Sequence, residues 1–238
     1  MIKVLMALVL LLVNVNISSA ADKAGEINKY KGTIKVYKEG EIWGQSVKKR
    51  NHELFVKDVV KTKRRAMAHI TFIDGSEAYM KEKSILEIEK IKDLGVEKGR
   101  VIFNVKKQGS FLGWIAIRTK TAVIGVKGTK FAVDVDKDKL HVYLKEGALN
   151  IKSVEDDFIR YRKKESEDYE DFKKKEIDEF KKFKETMEEE FKEFVKEFDM
   201  KGGTAISIDG KEVRDIAIPE DIEKEFLLFS SPEIFDKS

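Results

Sequence analysis

Between Gly32 and Val154 the chain is cut into short runs in which apolar and polar residues alternate, and this period of two constrains its fold more than any other feature. Ala66, Ala68, Ile70 and Phe72 share one face of such a run, with Met67, His69 and Thr71 on the other. Leu86 and Ile88 alternate with Glu87 and Glu89, Val101, Phe103 and Val105 with Arg100 and Asn104, and Phe131, Val133 and Val135 with Lys130 and Asp134. Leu140, Val142 and Leu144 alternate with His141 and Tyr143. Turn signals at Gly40, Asp74-Gly75, Gly95, Gly109, Gly125, Gly128 and Gly147 separate the runs. That spacing predicts antiparallel strands in a sandwich, barrel or solenoid, so residues 21–154 read as an all-β domain.

After residue 154 the pattern changes. From Asp156 to Phe198 there is no Gly or Pro and the segment is dense in Glu and Lys, which predicts one long amphipathic helix over 155–200. Its aromatic residues recur every eleven positions: Phe158, Tyr169, Phe180 and Phe191 in one register, Tyr161, Phe172, Phe183 and Phe194 in the next, then Met187 and Phe198. An eleven-residue period in a helix gives a nearly straight or right-handed stripe. A helix of that length would run on the order of 65 Å at 1.5 Å per residue. The β domain could not cover it, so the stripe reads as a surface for self-association or for a protein partner.

The two ends carry their own signals. Lys3 precedes ten apolar residues from Val4 to Val13, and Ser18-Ser19-Ala20-Ala21 supplies small residues for cleavage, so residues 1–20 read as a signal peptide. Export to the periplasm, or secretion, is the expectation, with no transmembrane span left after cleavage. At the other end, residues 201–238 alternate around Asp209-Gly210 and then present Pro219 ahead of Glu220 and Asp221, predicting a hairpin and a short helix.

Composition narrows the chemistry. The chain has no Cys and three His, which excludes a disulfide scaffold and Cys-ligated zinc and leaves little for His-based catalysis. Its net charge of +3 hides an asymmetry: residues 22–154 hold 29 basic and 17 acidic side chains, whereas 155–201 hold 13 and 18. Blocks of opposite sign are expected to dock on one another or on separate charged partners. Two basic runs, Lys48-Lys49-Arg50 and Lys61 with Lys63-Arg64-Arg65, read either as solvated strand edges or as an anion-binding patch. An anionic envelope polymer fits an exported protein better than nucleic acid.

Five ordered motifs carry a resemblance. Asp58-Val59-Val60-Lys61-Thr62 followed by residues 66–76, which end in Asp74-Gly75-Ser76, resembles the FecR domain family. Residues 84–88 and Gly99-Arg100-Val101-Ile102-Phe103 resemble its next strands. The stretch from Thr119 through Gly125, Gly128 and Thr129 to Phe131 resembles its longest motif, and Glu146-Gly147 its closing strand pair. The resemblance covers residues 32–152 and implies an all-β periplasmic domain that senses or binds and does not catalyse. Regulatory members of that family resemble anti-sigma factors with a cytoplasmic region and a membrane span before the domain. Neither is visible here, so direct signalling to a cytoplasmic sigma factor is not expected. No cofactor or metal is expected either, because the β domain has no His or carboxylate cluster at ligand spacing.

Each motif also has a purely structural reading. Asp58, Thr62, Asp74, Gly75, Ser76, Gly99, Thr119, Gly125, Gly128, Thr129, Phe131, Glu146 and Gly147 suit turn chemistry and strand packing. His69, Asp74 and Ser76 have the residue types of a hydrolytic triad without any sign of its geometry. The favoured expectation is a non-enzymatic exported binding or scaffold module associating through its long helix. The alternative is a periplasmic sensor that binds an anionic ligand or polymer on its basic β domain.

Overall fold

The computed structural model describes residues 21–106, 115–162 and 191–228. The first strands are β1 (Lys23–Lys31), β2 (Ile34–Tyr37), β3 (Gln45–Ser46) and β4 (His52–Phe55). β5 (Val59–Thr62), β6 (Met67–Phe72), β7 (Glu77–Met80), β8 (Ile85–Lys90) and β9 (Asp93–Asn104) follow. Next come β10 (Ile115–Arg118), β11 (Ala122–Val126), β12 (Lys130–Asp136), β13 (Lys139–Glu146) and β14 (Ala148–Ser153). The chain continues as β15 (Phe158–Arg162), β16 (Phe191–Val195), β17 (Glu197–Lys201), β18 (Thr204–Asp209) and β19 (Glu212–Ile216). A single helix, α1 (Glu220–Leu228), completes the elements among the described residues.

These strands form two sheets facing one another. The first has the spatial order β4-β1-β6-β7-β9-β12-β13-β18-β19-β15-β16. The second has the order β3-β2-β5-β8-β9-β10-β11-β14-β17. β9 belongs to both, pairing β8 and β10 through its first half and β7 and β12 through its second. All but two of the pairings are antiparallel, the exceptions being β9 with β10 and β15 with β19.

The alternation read in the sequence is the reason for this architecture. Ala68, Ile70, Leu86, Ile88, Val101, Phe103, Phe131, Val133, Leu140, Val142 and Leu144 all point between the sheets and are buried there. Phe103 and Phe131 lie directly opposite one another on β9 and β12, with stacked rings 5.2 Å apart. A second, smaller apolar cluster sits on the outer face of the first sheet, where Tyr79, Ile102, Ala132, Tyr143 and Ala205 meet Ile222 and Phe226 of α1.

The expected long helix over 155–200 is overturned. Its ends are strands: Phe158 pairs with Val195 and Arg162 with Phe191 across β15 and β16, and β17 adds to the edge of the second sheet beside β14. Phe158 and Phe198 are buried in the core, with ring centroids 5.9 Å apart and edge-on. Tyr161 lies under the guanidinium of Arg214, and Phe194 is exposed. The eleven-residue stripe is therefore not one face. Its remaining members, Tyr169, Phe172, Phe180, Phe183 and Met187, lie outside the described residues. The physical reason is local as well as tertiary: Phe158 and Arg160, and Phe198 and Met200, bury every second residue, and strands β14 and β19 offer unpaired backbone edges that hydrogen bonding fills. Helix propensity is a weak term against such pairing. The hairpin around Asp209-Gly210 and the short helix after Pro219 are present.

Candidate functional site

Asp58, Thr62, Gly99, Gly128, Thr129 and Gly147 sit at the corners where the chain passes from one sheet to the other, whereas Asp74, Gly75, Ser76 and Thr119 close turns within one sheet. Asp58, buried, accepts the Phe55 backbone N–H at 2.9 Å. Thr62, also buried, donates its hydroxyl to the Lys81 carbonyl at 2.6 Å and accepts the Ser84 N–H at 2.9 Å. Ser84 in turn donates its hydroxyl to the Arg100 carbonyl at 3.0 Å. Gly99 lies beside it with φ +79°. Asp74 accepts both the N–H and the hydroxyl of Ser76, at 2.9 and 3.0 Å, closing the turn between β6 and β7 around Gly75. Thr119 bonds both backbone groups of Ala122. Gly128 and Thr129 pack under Gly147 where β11 passes into β12 and β13 into β14. Gly125 lies within β11 opposite Asn150, and Glu146 faces Lys130 across β12 and β13. Phe131 is core. These residues set the fold. The types that hinted at a triad do not form one: the Ser76 hydroxyl is committed to Asp74, and His69 contacts Glu77 at 3.5 Å.

Stacking the corners also gathers charge. The Lys63 N–H donates to the Thr33 carbonyl, the Lys83 N–H to the Lys63 carbonyl, and the Lys81 N–H to the Arg100 carbonyl. The Val47 N–H donates to the Ile34 carbonyl, which brings the turn after β3 to the same end. Lys48, Lys49 and Arg50, then Lys63, Arg64 and Arg65, then Lys81 and Lys83, then Lys98 and Arg100 therefore follow one another along one rim. Neighbouring strands lie about 4.8 Å apart, so the rim spans roughly 20 Å. Lys61 is on β5 itself, with its ammonium 4.7 Å from the Tyr37 ring centre. Glu82 lies among these cations and accepts the Arg65 N–H, and Lys81 and Arg100 are paired with the carboxylates of Asp134, Asp221 and Glu225.

At one end the rim opens into a cleft of about 530 Å³ lined by Lys81, Glu82, Lys83, Lys98, Gly99, Arg100, Asp134, Val135, Asp136 and His141. Arg100 is its centre. The guanidinium binds Asp134 at 2.8 Å, Asp221 at 3.1 Å and Glu225 at 3.3 Å, and Lys81 reaches Glu225 at 3.0 Å. Partial burial opposes the charge on Arg100, but the carboxylates of Asp134 and Glu225 outweigh it and hold its pKa above the usual value. The hydrogen bond from Arg100 draws the Asp221 carboxyl below its usual range. The sequence reading singled out the first two basic runs and missed Lys81, Lys83, Lys98, Arg100, Asp221 and Glu225. The available signal was Lys83 directly before the corner residue Ser84, and Lys98 and Arg100 on either side of Gly99.

Two partly buried histidines have a measurable consequence for acid stability. Burial, then Lys38 with a smaller contribution from Lys49, lowers the pKa of His52 from 6.5, and burial lowers that of His69 against the pull of Glu77. Both bind protons more weakly folded than unfolded, so their contribution is present above about pH 6.5 and is lost as pH falls through their folded pKa values. The urea midpoint of the double variant His52→Gln, His69→Gln is expected to fall less steeply between about pH 7 and 5.5 than that of the unaltered chain. Equal slopes would show that neither His is linked to folding.

Among the described residues no three His, Asp or Glu side chains are grouped to hold a metal ion, and no helix is long and apolar enough to cross a membrane.

Comparison with known proteins places the central strands. No curated protein matches the chain. Two crystal structures of a candidate anti-sigma factor from Parabacteroides distasonis ATCC 8503, at 1.65 and 2.50 Å, are similar to it with a TM-score of 0.47 and 12% identity. Each match covers 71% of this chain, and 64% and 63% of theirs, so the chain spans less than two thirds of those proteins' length. The FecR protein family model matches residues 58–150, from the buried Asp58 at the start of β5 into β14. The strands that build the corners around Thr62, Ser84 and Gly99 thus match the FecR protein family model, and strands of the same two sheets extend them at both ends.

Proposed function

We propose that this chain is a non-catalytic, exported regulatory binding module whose FecR domain takes a linear polyanion of the cell envelope along its basic rim. The observation that carries the reading is the convergence of Lys48, Lys49 and Arg50 with Lys63, Arg64 and Arg65, and with Lys83 and Lys98, on successive corners. Cations held at strand spacing repel one another, and a polymer with regularly spaced negative charge relieves that repulsion along its whole length. A row of this kind selects by charge density, so the ligand class is an acidic polysaccharide or phosphate-bearing polymer.

Linear polyphosphate and heparin serve as probes, with neutral dextran as the control. The triple reversal Lys63→Glu, Arg64→Glu, Arg65→Glu is expected to weaken polyphosphate binding at least tenfold and to elute from heparin at lower salt. A control triple on exposed cations elsewhere, Lys152→Glu, Lys192→Glu, Lys201→Glu, has the same net charge and should bind nearly as the unaltered chain does. Equal losses in the two triples would reduce the rim to non-specific charge and sink the proposal.

A further inference from the structure

Helix α1 is held to the first sheet by a narrow set of contacts on one of its faces. Asp221, Ile222, Glu225 and Phe226 occupy positions i, i+1, i+4 and i+5, which share that face. Ile222 and Phe226 are 0% and 1% exposed, seated on Tyr79, Ile102, Ala132 and Tyr143. The carboxylates beside them meet Arg100 and Lys81. Glu220, Glu223, Lys224 and Leu227 face solvent.

A nine-residue helix is not stable alone in water, so α1 depends on this seat for its conformation. Two apolar anchors and three ion pairs, from Asp221 and Glu225 to Arg100 and Lys81, hold it there. The seat reads only the pattern acid-apolar-x-x-acid-apolar. The apolar strip takes the hydrophobic side chains, and the cations at its margin fix which carboxylates lie beside them.

We propose that the face beneath α1 is a docking surface for an acidic amphipathic helix of a partner protein, with α1 as its resident occupant. Charge complementarity argues for such a partner: Arg100 and Lys81 flank an apolar strip, and α1 itself shows what they accept. The resident helix is tethered through residues 217–219, which gives it a high effective concentration, so an external helix binds well only where α1 has been weakened or drawn away. The inference rests on the seating of α1 and stands whether or not the rim binds a polyanion.

The test uses a fluorescent peptide of residues 217–228 and fluorescence anisotropy. A full chain carrying Ile222→Asp and Phe226→Asp, whose own helix cannot seat, is expected to bind the peptide at least tenfold more tightly than the unaltered chain. The same peptide carrying both substitutions is expected not to bind. A chain that binds no better with its helix unseated, or that binds the substituted peptide equally, overturns the proposal. Should those substitutions disturb folding, charge exchange decides. The Arg100→Glu chain is expected to prefer a peptide carrying Asp221→Lys and Glu225→Lys over the natural one, and the absence of any such preference overturns the proposal. Polyphosphate binding, measured on the unaltered chain and on the chain carrying Ile222→Asp and Phe226→Asp, whose basic side chains are all intact, reads the rim separately.

Discussion

Replacing Phe131 with alanine is expected to lower the unfolding free energy by about 4 kcal/mol, the middle of the range for truncating a buried aromatic. Phe131 is fully buried on β12, and its ring stacks on Phe103 of β9, the strand shared by the two sheets. Removing the ring takes away its own transfer energy and leaves a cavity at the point where the sheets are joined, where the backbone has least freedom to collapse. Urea denaturation measures the effect as a shift in midpoint with little change in slope. Phe131→Leu, which keeps most of the volume, should cost less than about 1.5 kcal/mol. Phe194→Ala removes a side chain that is 70% exposed and should stay within about 0.5 kcal/mol of the unaltered chain. A loss at Phe131 no larger than at Phe194 would mean that the sheets do not pack as described.

The second large effect is expected at Gly99, where alanine should cost about 3 kcal/mol. Two terms add. The backbone is left-handed at φ +79°, a region that costs an L-residue about 1–2 kcal/mol. A Cβ would also lie 2.5 Å from the Ser84 hydroxyl and 2.7 Å from the Ser84 Cα, so the corner itself must move. Gly203 separates the terms, because at φ +84° it has nothing within 4 Å and Gly203→Ala meets only the first. Its cost should be about 1–2 kcal/mol. Ser84 holds the Arg100 carbonyl, so Gly99→Ala should also loosen the seat of α1. Hydrogen exchange within Glu220–Leu228 should quicken in the Gly99 variant and stay unchanged in the Gly203 variant. Equal destabilisation of the two would remove the tight corner from the account.

How much of this was legible beforehand differs from one segment to another. The inward faces around Ile70, Leu86, Val101, Val133 and Val142 could be read directly, because burial of alternate residues leaves its mark within a few positions of each strand. The turn residues could be read as well. Asp74, Gly75 and Ser76 close a turn with one another, so the three letters contain the interaction. The segment around Phe158 and Phe198 misled because an eleven-residue period fits a helical stripe, whereas its ends follow a period of two over only a few residues each. Short runs of that kind leave helix and strand undecided.

Taken alone, the sequence determined what depends on near neighbours: an all-β class, the sides of the strands that turn inward, the turns that divide them, and a basic first half facing a more acidic remainder. The tertiary structure decided what depends on partners far away along the chain. Open backbone edges on β14 and β19 drew in β17 and β15. Stacked corners brought the turns at Lys49, Arg64, Lys83 and Arg100 into one rim. Arg100 met Glu225 across 125 positions of sequence. Local pattern carries no record of such pairings, because backbone hydrogen bonds are indifferent to side-chain identity and an ion pair leaves no spacing between its members.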